Sequence, residues 1–362
     1  MSQPIFFDCR YIRVDHHDGI SRYSAGLFEA LSRLVPVTAI ISDKRQLEHL
    51  PDQTDWVLLN DPTHWSEPFA ALRLNRLGAR IVYSPMQTIG SLGRKFKLVL
   101  TLHDLIYYRH PAPPPSMPFA VRIGWRLFHL WYWPQRLLLN SADAVVTVSE
   151  TTADLMRFHR LTRKPIWVVY NAAGDLDTDY EHRPPTERPR QVQRLVYMGS
   201  FMGYKNVATL VQALNALPDY ELHLLSRVND RVADELRSLV QPNGGQLVFH
   251  NGVTDSEYHR ILDSAVALVH ASRDEGFGIP LVESMARGIP IAVSDIPIFR
   301  EIGGEAAVYF DPNSPDQLLD ALAKLNIETD WLEKSAQGLT QAKKFSWKKS
   351  AERLLEALNS VG

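Results

Sequence analysis

Asp274-Glu275-Gly276-Phe277-Gly278-Ile279-Pro280-Leu281-Val282-Glu283 follows a short apolar run, Ala267 to Ala271, that reads as a buried strand. Two glycines let the backbone turn tightly and come close to a ligand. Pro280 suits the first residue of a helix, where its missing N–H costs nothing. The amides of Leu281 and Val282 would then be free at the helix start, where the macrodipole favours an anion. Glu275 stands before that anion site and Glu283 just inside the helix. Apolar Phe277, Ile279, Leu281 and Val282 place the segment inside, so each carboxylate needs hydrogen-bond donors, which sugar or ribose hydroxyls supply. The stretch therefore predicts a site for a phosphorylated, hydroxyl-rich ligand. The alternative is a surface loop followed by an exposed helical Glu.

Working outward, short apolar strands alternate with amphipathic helical stretches along the whole chain, the pattern of parallel α/β layers. In the first half strands are expected at Ile5–Cys9, Val37–Ser42, Trp56–Leu59, Ile81–Ser84, Leu98–Leu102, Ala144–Val148 and Trp167–Tyr170. Ser21 to Leu34 has the spacing of a helix. A polar, proline-containing stretch over 173–193 reads as a linker. The alternation restarts with strands at Leu195–Met198, Glu221–Leu225, Gln246–His250, Ala267–His270 and Pro290–Val293. A last helical pattern runs from Ser346, a suitable N-cap, to Leu358. The fold class expected is α/β, with two Rossmann-like doubly wound domains, 1–172 and 194–345. Such folds bind ligands at the carboxyl ends of their strands.

The length of 362 residues suits two domains. With 39 basic against 41 acidic residues, no basic field advertises nucleic-acid binding. Cys9 is the only cysteine, which excludes an intramolecular disulfide and a Cys-based zinc cage. There is no signal-peptide pattern at the start and no uncharged apolar run of about 20 residues. A cytoplasmic protein is expected, with peripheral attachment to a membrane left open.

Three further stretches carry candidate chemistry. Gly199-Ser200-Phe201-Met202-Gly203-Tyr204-Lys205-Asn206 is a second glycine-bearing strand-to-helix turn, and Lys205 would be a mobile charge for phosphate. The ordinary role of such a lysine is a solvated one. No Walker loop and no Gly-x-Gly-x-x-Gly fingerprint occurs. His103, directly after a strand, is either a structural histidine or a donor and proton handler for substrate. Asp15, His16, His17 and Asp18 could form a metal cluster, as could Asp175, Asp177 and Asp179. The first reads better as a loop before a helix whose Gly19 allows close approach of phosphate, the second as a solvated turn. No metal is expected. Finally, 117–138 mixes Trp, Phe and Leu with Arg122, Arg126, His129 and Arg136, as in a helix lying on an anionic bilayer. The competing picture is a helix packed on the first sheet with its basic face in water.

With these residues assembled, the chain resembles the retaining GT-B glycosyltransferases of family 4 (glycosyltransferase group 1). Glu275-Gly-Phe-Gly-Ile-Pro-Leu-Val-Glu283 matches that family's Glu-x7-Glu signature. Met285-Ala286-Arg287-Gly288-Ile289-Pro290, Ser294-Asp295, Ile302-Gly303-Gly304-Glu305-Ala306-Ala307 and Asp311-Pro312 are in its style. So are Gly199-Ser200 with Lys205-Asn206, His103-Asp104-Leu105, Val148-Ser149-Glu150 and Gly19-Ile20-Ser21-Arg22-Tyr23, in the expected order. The resemblance covers nearly the whole chain. It implies two domains facing a cleft, a nucleotide-diphosphate sugar bound by the C-terminal one and a glycan or lipid-linked acceptor by the N-terminal one. The final helix, 346–362, would cross back to the N-terminal domain. It further implies that Glu283 holds the ribose hydroxyls, that Glu275 with Gly276, Phe277 and Gly278 contacts the donor sugar, and that Lys205 and the Gly19 loop neutralise the diphosphate. The helix start at Leu281 and Val282 completes the donor site, with His103 near the reacting centre and no cofactor or metal required.

Ser200 stands where many members carry Arg, which throws diphosphate neutralisation onto Lys205. Asp18-Gly19 stands where many carry two glycines. GDP-mannose or a UDP-hexose is the expected donor, the first slightly favoured. Two alternatives stay open: a GT-B-fold epimerase or phosphorylase, and a non-catalytic sugar-nucleotide-binding protein.

Overall fold

The computed structural model describes residues 4–14, 19–113, 119–174, 185–189 and 193–362. The chain divides into two compact units, Met1–Asp177 with Ser346–Gly362, and Thr178–Phe345. Each is built on one parallel sheet with connecting helices.

In the first unit the strands are β1 (Ile5–Asp8), β2 (Val37–Ile41), β3 (Trp56–Leu58), β4 (Ile81–Ser84), β5 (Lys97–Leu102), β6 (Ala144–Thr147) and β7 (Ile166–Val168). They lie in the order β3-β2-β1-β4-β5-β6-β7, all parallel. The central strands β1, β4 and β6 are buried throughout, as near-continuous apolar runs under helices should be. The strand order reverses between β1 and β4, and the loops that follow these two strands flank that switch point.

The second unit repeats the plan with β8 (Gln193–Tyr197), β9 (Tyr220–Leu224), β10 (Gln246–Phe249), β11 (Ala267–His270), β12 (Ile291–Ser294) and β13 (Ala307–Phe310), ordered β10-β9-β8-β11-β12-β13. Its switch point lies between β8 and β11. The loops leaving these strands are the two glycine-bearing stretches, 199–205 and 271–278, so the topology itself brings them side by side.

The final helix, Trp347–Asn359, is capped by Ser346, whose hydroxyl accepts the Lys349 N–H at 3.3 Å. As expected, it belongs to the first unit. Trp347 donates its indole N–H to the Gly174 carbonyl at 3.0 Å, and Ser350 Oγ donates to the Tyr170 carbonyl at 2.7 Å. The indole lies against Gly26 on the helix Gly19–Ser32. A Cβ there would stand 2.4 Å from the ring, so only glycine lets the two helices meet.

Two sequence expectations need correction. β13 is not among the strands expected. The stretch 117–138 is not one helix: Phe119–His129 and Trp133–Asn140 are separate, because Pro134 is tolerated in the first turn of a helix and not in its interior. The two helices also carry more than a basic face at the surface. Ile123, Leu127, Leu130 and Trp131 are themselves exposed. Of the stretch 173–193, residues 175–184 and 190–192 lie outside the described residues. Arg188, within it, is bound to the second unit, donating Nε to the Leu325 carbonyl at 2.9 Å and Nη2 to Asn326.

Candidate active site

The turn after β11 is built around Gly278. Its φ of +98° is left-handed, a conformation that strains other residues, and it forms the N-cap of the helix Ile279–Ala286. Of the two glycines, only Gly278 adopts this backbone; Gly276 does not. The helix begins one residue earlier than Pro280, with consequences for the anion site. The Leu281 amide closes the first turn on the Gly278 carbonyl at 3.0 Å and is not free. Among the described residues the amides of Gly278 and Ile279 have no protein acceptor, so the available donors sit three positions upstream of those expected. The side chains of Leu281 and Val282 are fully buried and Phe277 nearly so, which anchors the turn in the core.

The turn after β8 approaches from the neighbouring strand. The Arg273 N–H donates to the Tyr204 carbonyl at 2.8 Å, tying the two loops by backbone. Asn206, left-handed at φ +53°, ends the short turn Gly203–Lys205 and donates its side-chain amide to the Pro312 carbonyl. Lys205 is thereby fixed at its root, and Nζ pairs with Glu275 Oε1. The two side chains are 13% and 9% exposed, so the pair is shielded from most solvent. Ser272 Oγ donates to the same carboxylate oxygen at 3.2 Å. Ser200 is exposed, and its contribution is a carbonyl that accepts the Tyr197 hydroxyl at 2.6 Å. Burial, and then the Glu275 charge, hold that phenol protonated far above its usual range. Glu283, 8% exposed, sits in the second turn of the helix. Its charge acts on His259, whose pKa is pushed down by burial and Arg287 and drawn partly back by Glu283.

Beneath the Lys205–Glu275 pair lies a residue not singled out in the sequence. His270 ends β11, is 2% exposed, and packs its ring on Tyr197 at 4.8 Å. Neither ring nitrogen makes a well-formed hydrogen bond, and the Met198 backbone offers only a weak one. Burial, and next the Lys205 charge, push its pKa from 6.5 down to about 3, so the imidazole is neutral. A histidine closing the otherwise apolar strand Ala267–His270 is the signal that could have marked it.

The linkage has a definite sign. Between about pH 6.5 and about 3 the unfolded chain binds a proton at His270 that the folded chain refuses, so stability falls as pH drops through that window, by at most about 1.4 kcal/mol per pH unit. His270→Gln should lose less stability than the parent between about pH 7 and pH 4 in urea unfolding of the second unit. Parallel pH profiles would assign the acid sensitivity to other groups.

Gly19 and His103 belong to the first unit. Gly19 is the exposed first residue of the helix Gly19–Ser32, and 15–18, with the candidate metal cluster, lie outside the described residues. So do Asp175, Asp177 and Asp179. His103 follows β5 and donates Nε2–H to the Pro85 carbonyl, after β4, at 2.7 Å. That bond fixes the tautomer, and the ring lies edge-on to buried Tyr23 at 5.0 Å. Among the described residues no group of three or more His, Cys, Asp or Glu is placed to hold a metal.

Comparison with known proteins identifies the family. The family described as Glycosyl transferases group 1 matches residues 179–345, and Glycosyltransferase Family 4 matches 17–173. O-antigen chain mannosyltransferase B of Escherichia coli is 28% identical over 277 residues, 72% of this chain and 70% of its own. O-antigen chain mannosyltransferase RfbU of Salmonella typhimurium is 25% identical over 333 residues, 85% and 90% of the two chains. Among solved structures, Anabaena Alr3699/HepE in complex with UDP and glucose superposes with a TM-score of 0.73 at 16% identity, over 99% of this chain and 100% of its own. Two profiles spanning both units, each unit a doubly wound parallel sheet as in the GT-B neighbours, make this chain a member of the group 1, family 4 glycosyltransferases.

Proposed function

We propose that the protein is a retaining mannosyltransferase that moves mannose from GDP-mannose to a glycan or lipid-linked acceptor. The observation that carries the donor half is the shielded Lys205–Glu275 pair beside the Gly278 turn, a cation and a carboxylate fixed at one switch point. The choice of mannose is supported by relatives that are mannosyltransferases. In this reading Glu283 accepts the ribose hydroxyls, and Glu275 with the Gly276–Gly278 backbone holds the donor sugar. Lys205, the amides of Gly278 and Ile279, and the Gly19 loop take the diphosphate charge, so no divalent metal is needed. His103, whose Nε2 proton is committed to the Pro85 carbonyl, is the first unit's candidate to serve the reacting centre.

The acceptor hydroxyl would attack the anomeric carbon on the face the diphosphate leaves, through an oxocarbenium-like state. The sugar–phosphate C–O bond breaks as the new C–O bond forms, and the hydroxyl proton passes to the departing phosphate oxygen. Fixed positive groups at that oxygen are the preorganised electrostatics that dominate such steps. Work at the inner face of a membrane, from the cytoplasm, suits a lipid-linked acceptor.

A thermal-shift series over GDP-, UDP-, ADP- and dTDP-sugars tests the reading. GDP-mannose at a hundredfold excess over its Kd should stabilise the protein by about 2.7 kcal/mol, and donor should be consumed with the anomeric configuration retained once acceptor is added. A larger shift from a UDP-hexose would overturn the donor assignment. Binding without turnover over a broad acceptor panel would make the protein a silent binder.

A further inference from the structure

Of the 17 large apolar side chains exposed among the described residues, seven fall between 121 and 137, and an eighth is Phe158. Scattered singly such residues mean nothing; gathered on one surface they mark an interaction site. Ile123 and Leu127 recur at the spacing of one face of the helix Phe119–His129, with Leu130 just past its end, and Trp133 and Leu137 do the same on Trp133–Asn140.

That apolar face is not the packing face. Inward, Trp125 meets Tyr107 edge-on at 4.7 Å, and Tyr132 stacks on Tyr108 and on His159, both at 4.3 Å. The His159 stack brings its neighbour Phe158, 79% exposed, to the border of the same surface. Arg136 donates to the His159 carbonyl at 2.8 Å and closes the join.

Charge says what covers it. Between Asp104 and Asp143 the sequence has no acidic residue and four arginines, Arg109, Arg122, Arg126 and Arg136, in a chain whose net charge is −2. Arg122 and Arg126 lie one turn apart beside the apolar stripe, and neither makes an ion pair among the described residues. The nearby acids Glu150 and Asp154 are occupied by Arg157. A second copy docked by two-fold symmetry would press this cationic rim against itself. Neither helix is long enough to cross a bilayer, and none in the described chain is.

We propose that this two-helix surface, with Phe158 at its edge, lies in the headgroup layer of an anionic lipid bilayer. The apolar stripe enters the acyl boundary and the arginines meet lipid phosphates. The inference rests on the transferase reading only for its purpose, presenting the first unit to a lipid-linked acceptor; the binding itself needs no donor.

Flotation with vesicles of phosphatidylglycerol and phosphatidylcholine, against pure phosphatidylcholine, tests it. The parent should float with the anionic vesicles at low salt and be released at high salt. Leu127→Asp with Trp131→Ser, and separately Arg122→Glu with Arg126→Glu, should each weaken this by about tenfold or more. Both pairs leave the core untouched, and the thermal shift with GDP-mannose should be unchanged. A parent that ignores anionic vesicles, variants that float as well as the parent, or a parent dimer that the Leu127→Asp pair dissociates would each overturn the proposal. Transfer to a water-soluble acceptor, run on the same samples, separates the failures. Transfer without flotation removes only the membrane surface; flotation without transfer or donor binding removes the transferase reading.

Discussion

Lys205→Ala is expected to cut sugar transfer by about 10²–10³-fold, the loss typical when one preorganised group facing transition-state charge is removed. Lys205 is the only side-chain cation found within reach of Glu275 among the described residues, and Ser200 supplies no second charge on its loop. The same substitution leaves Glu275, 9% exposed, with the Ser272 hydroxyl as its remaining side-chain donor. Stranding a shielded carboxylate costs about 1–3 kcal/mol, so the second unit should also melt earlier. Glu275→Gln separates the two effects. The glutamine oxygen can still accept from Lys205, whose flexible stem can carry its ammonium toward water, so this variant should lose transfer while holding more of its stability. In Lys205→Ala/Glu275→Gln the stability losses should be less than additive, because both residues belong to one pair. Full transfer by folded Lys205→Ala, measured with saturating donor, would remove the lysine from the diphosphate.

This pair shows what the sequence conveys and what it hides. Both residues can be read as candidates, because each sits in a glycine-bearing turn after an apolar strand. Their contact cannot, since 70 positions separate them and only the order β8 beside β11 brings the turns together. Central strands are legible for the opposite reason: Ala267–His270 and Ile81–Ser84 are apolar runs between turn residues, a local signal. Ala307–Phe310 carries that signal too, bounded by Gly303-Gly304 and Asp311-Pro312, yet lies at the sheet edge and is easily passed over as loop. Helix starts are the least legible. One residue of displacement at Ile279 changes which amides are free, and nothing in the run Gly278-Ile279-Pro280 distinguishes the two starts. His270 is a case of omission, its chemistry set by burial that composition does not reveal.

Arg10→Met should destabilise the first unit by about 3–5 kcal/mol, the cost of breaking a buried ion cluster from one side. All five guanidinium N–H groups are used. Nε and Nη2 donate to the two oxygens of Asp8 at 2.8 and 3.0 Å, and Nη1 and Nη2 to the two oxygens of Glu67 at 2.7 and 2.9 Å. The Asn60 carbonyl accepts the fifth, at 2.8 Å. The side chains of Arg10 and Asp8 are fully buried and that of Glu67 is 15% exposed. Burial alone would lower the pKa of the guanidinium, and the two carboxylates more than offset it, so the cluster stays ionised. It clamps the loops after β1, β3 and β4, since Glu67 also accepts the Gly90 N–H at 3.0 Å. No residue but glycine fits at 90, where a Cβ would fall 1.5 Å from the Glu67 carbonyl oxygen. Methionine fills much of the arginine's volume, so its loss would report charge and hydrogen bonds more than a cavity. Arg10→Lys keeps the charge but cannot reproduce two bidentate pairs, and should recover only part of the loss. Urea unfolding would show this as an earlier transition of the first unit, with donor-dependent stabilisation of the second unit retained, because the two compact units need not unfold as one. Coincident midpoints for parent and Arg10→Met would mean that desolvating three charges had consumed all that their pairing returns.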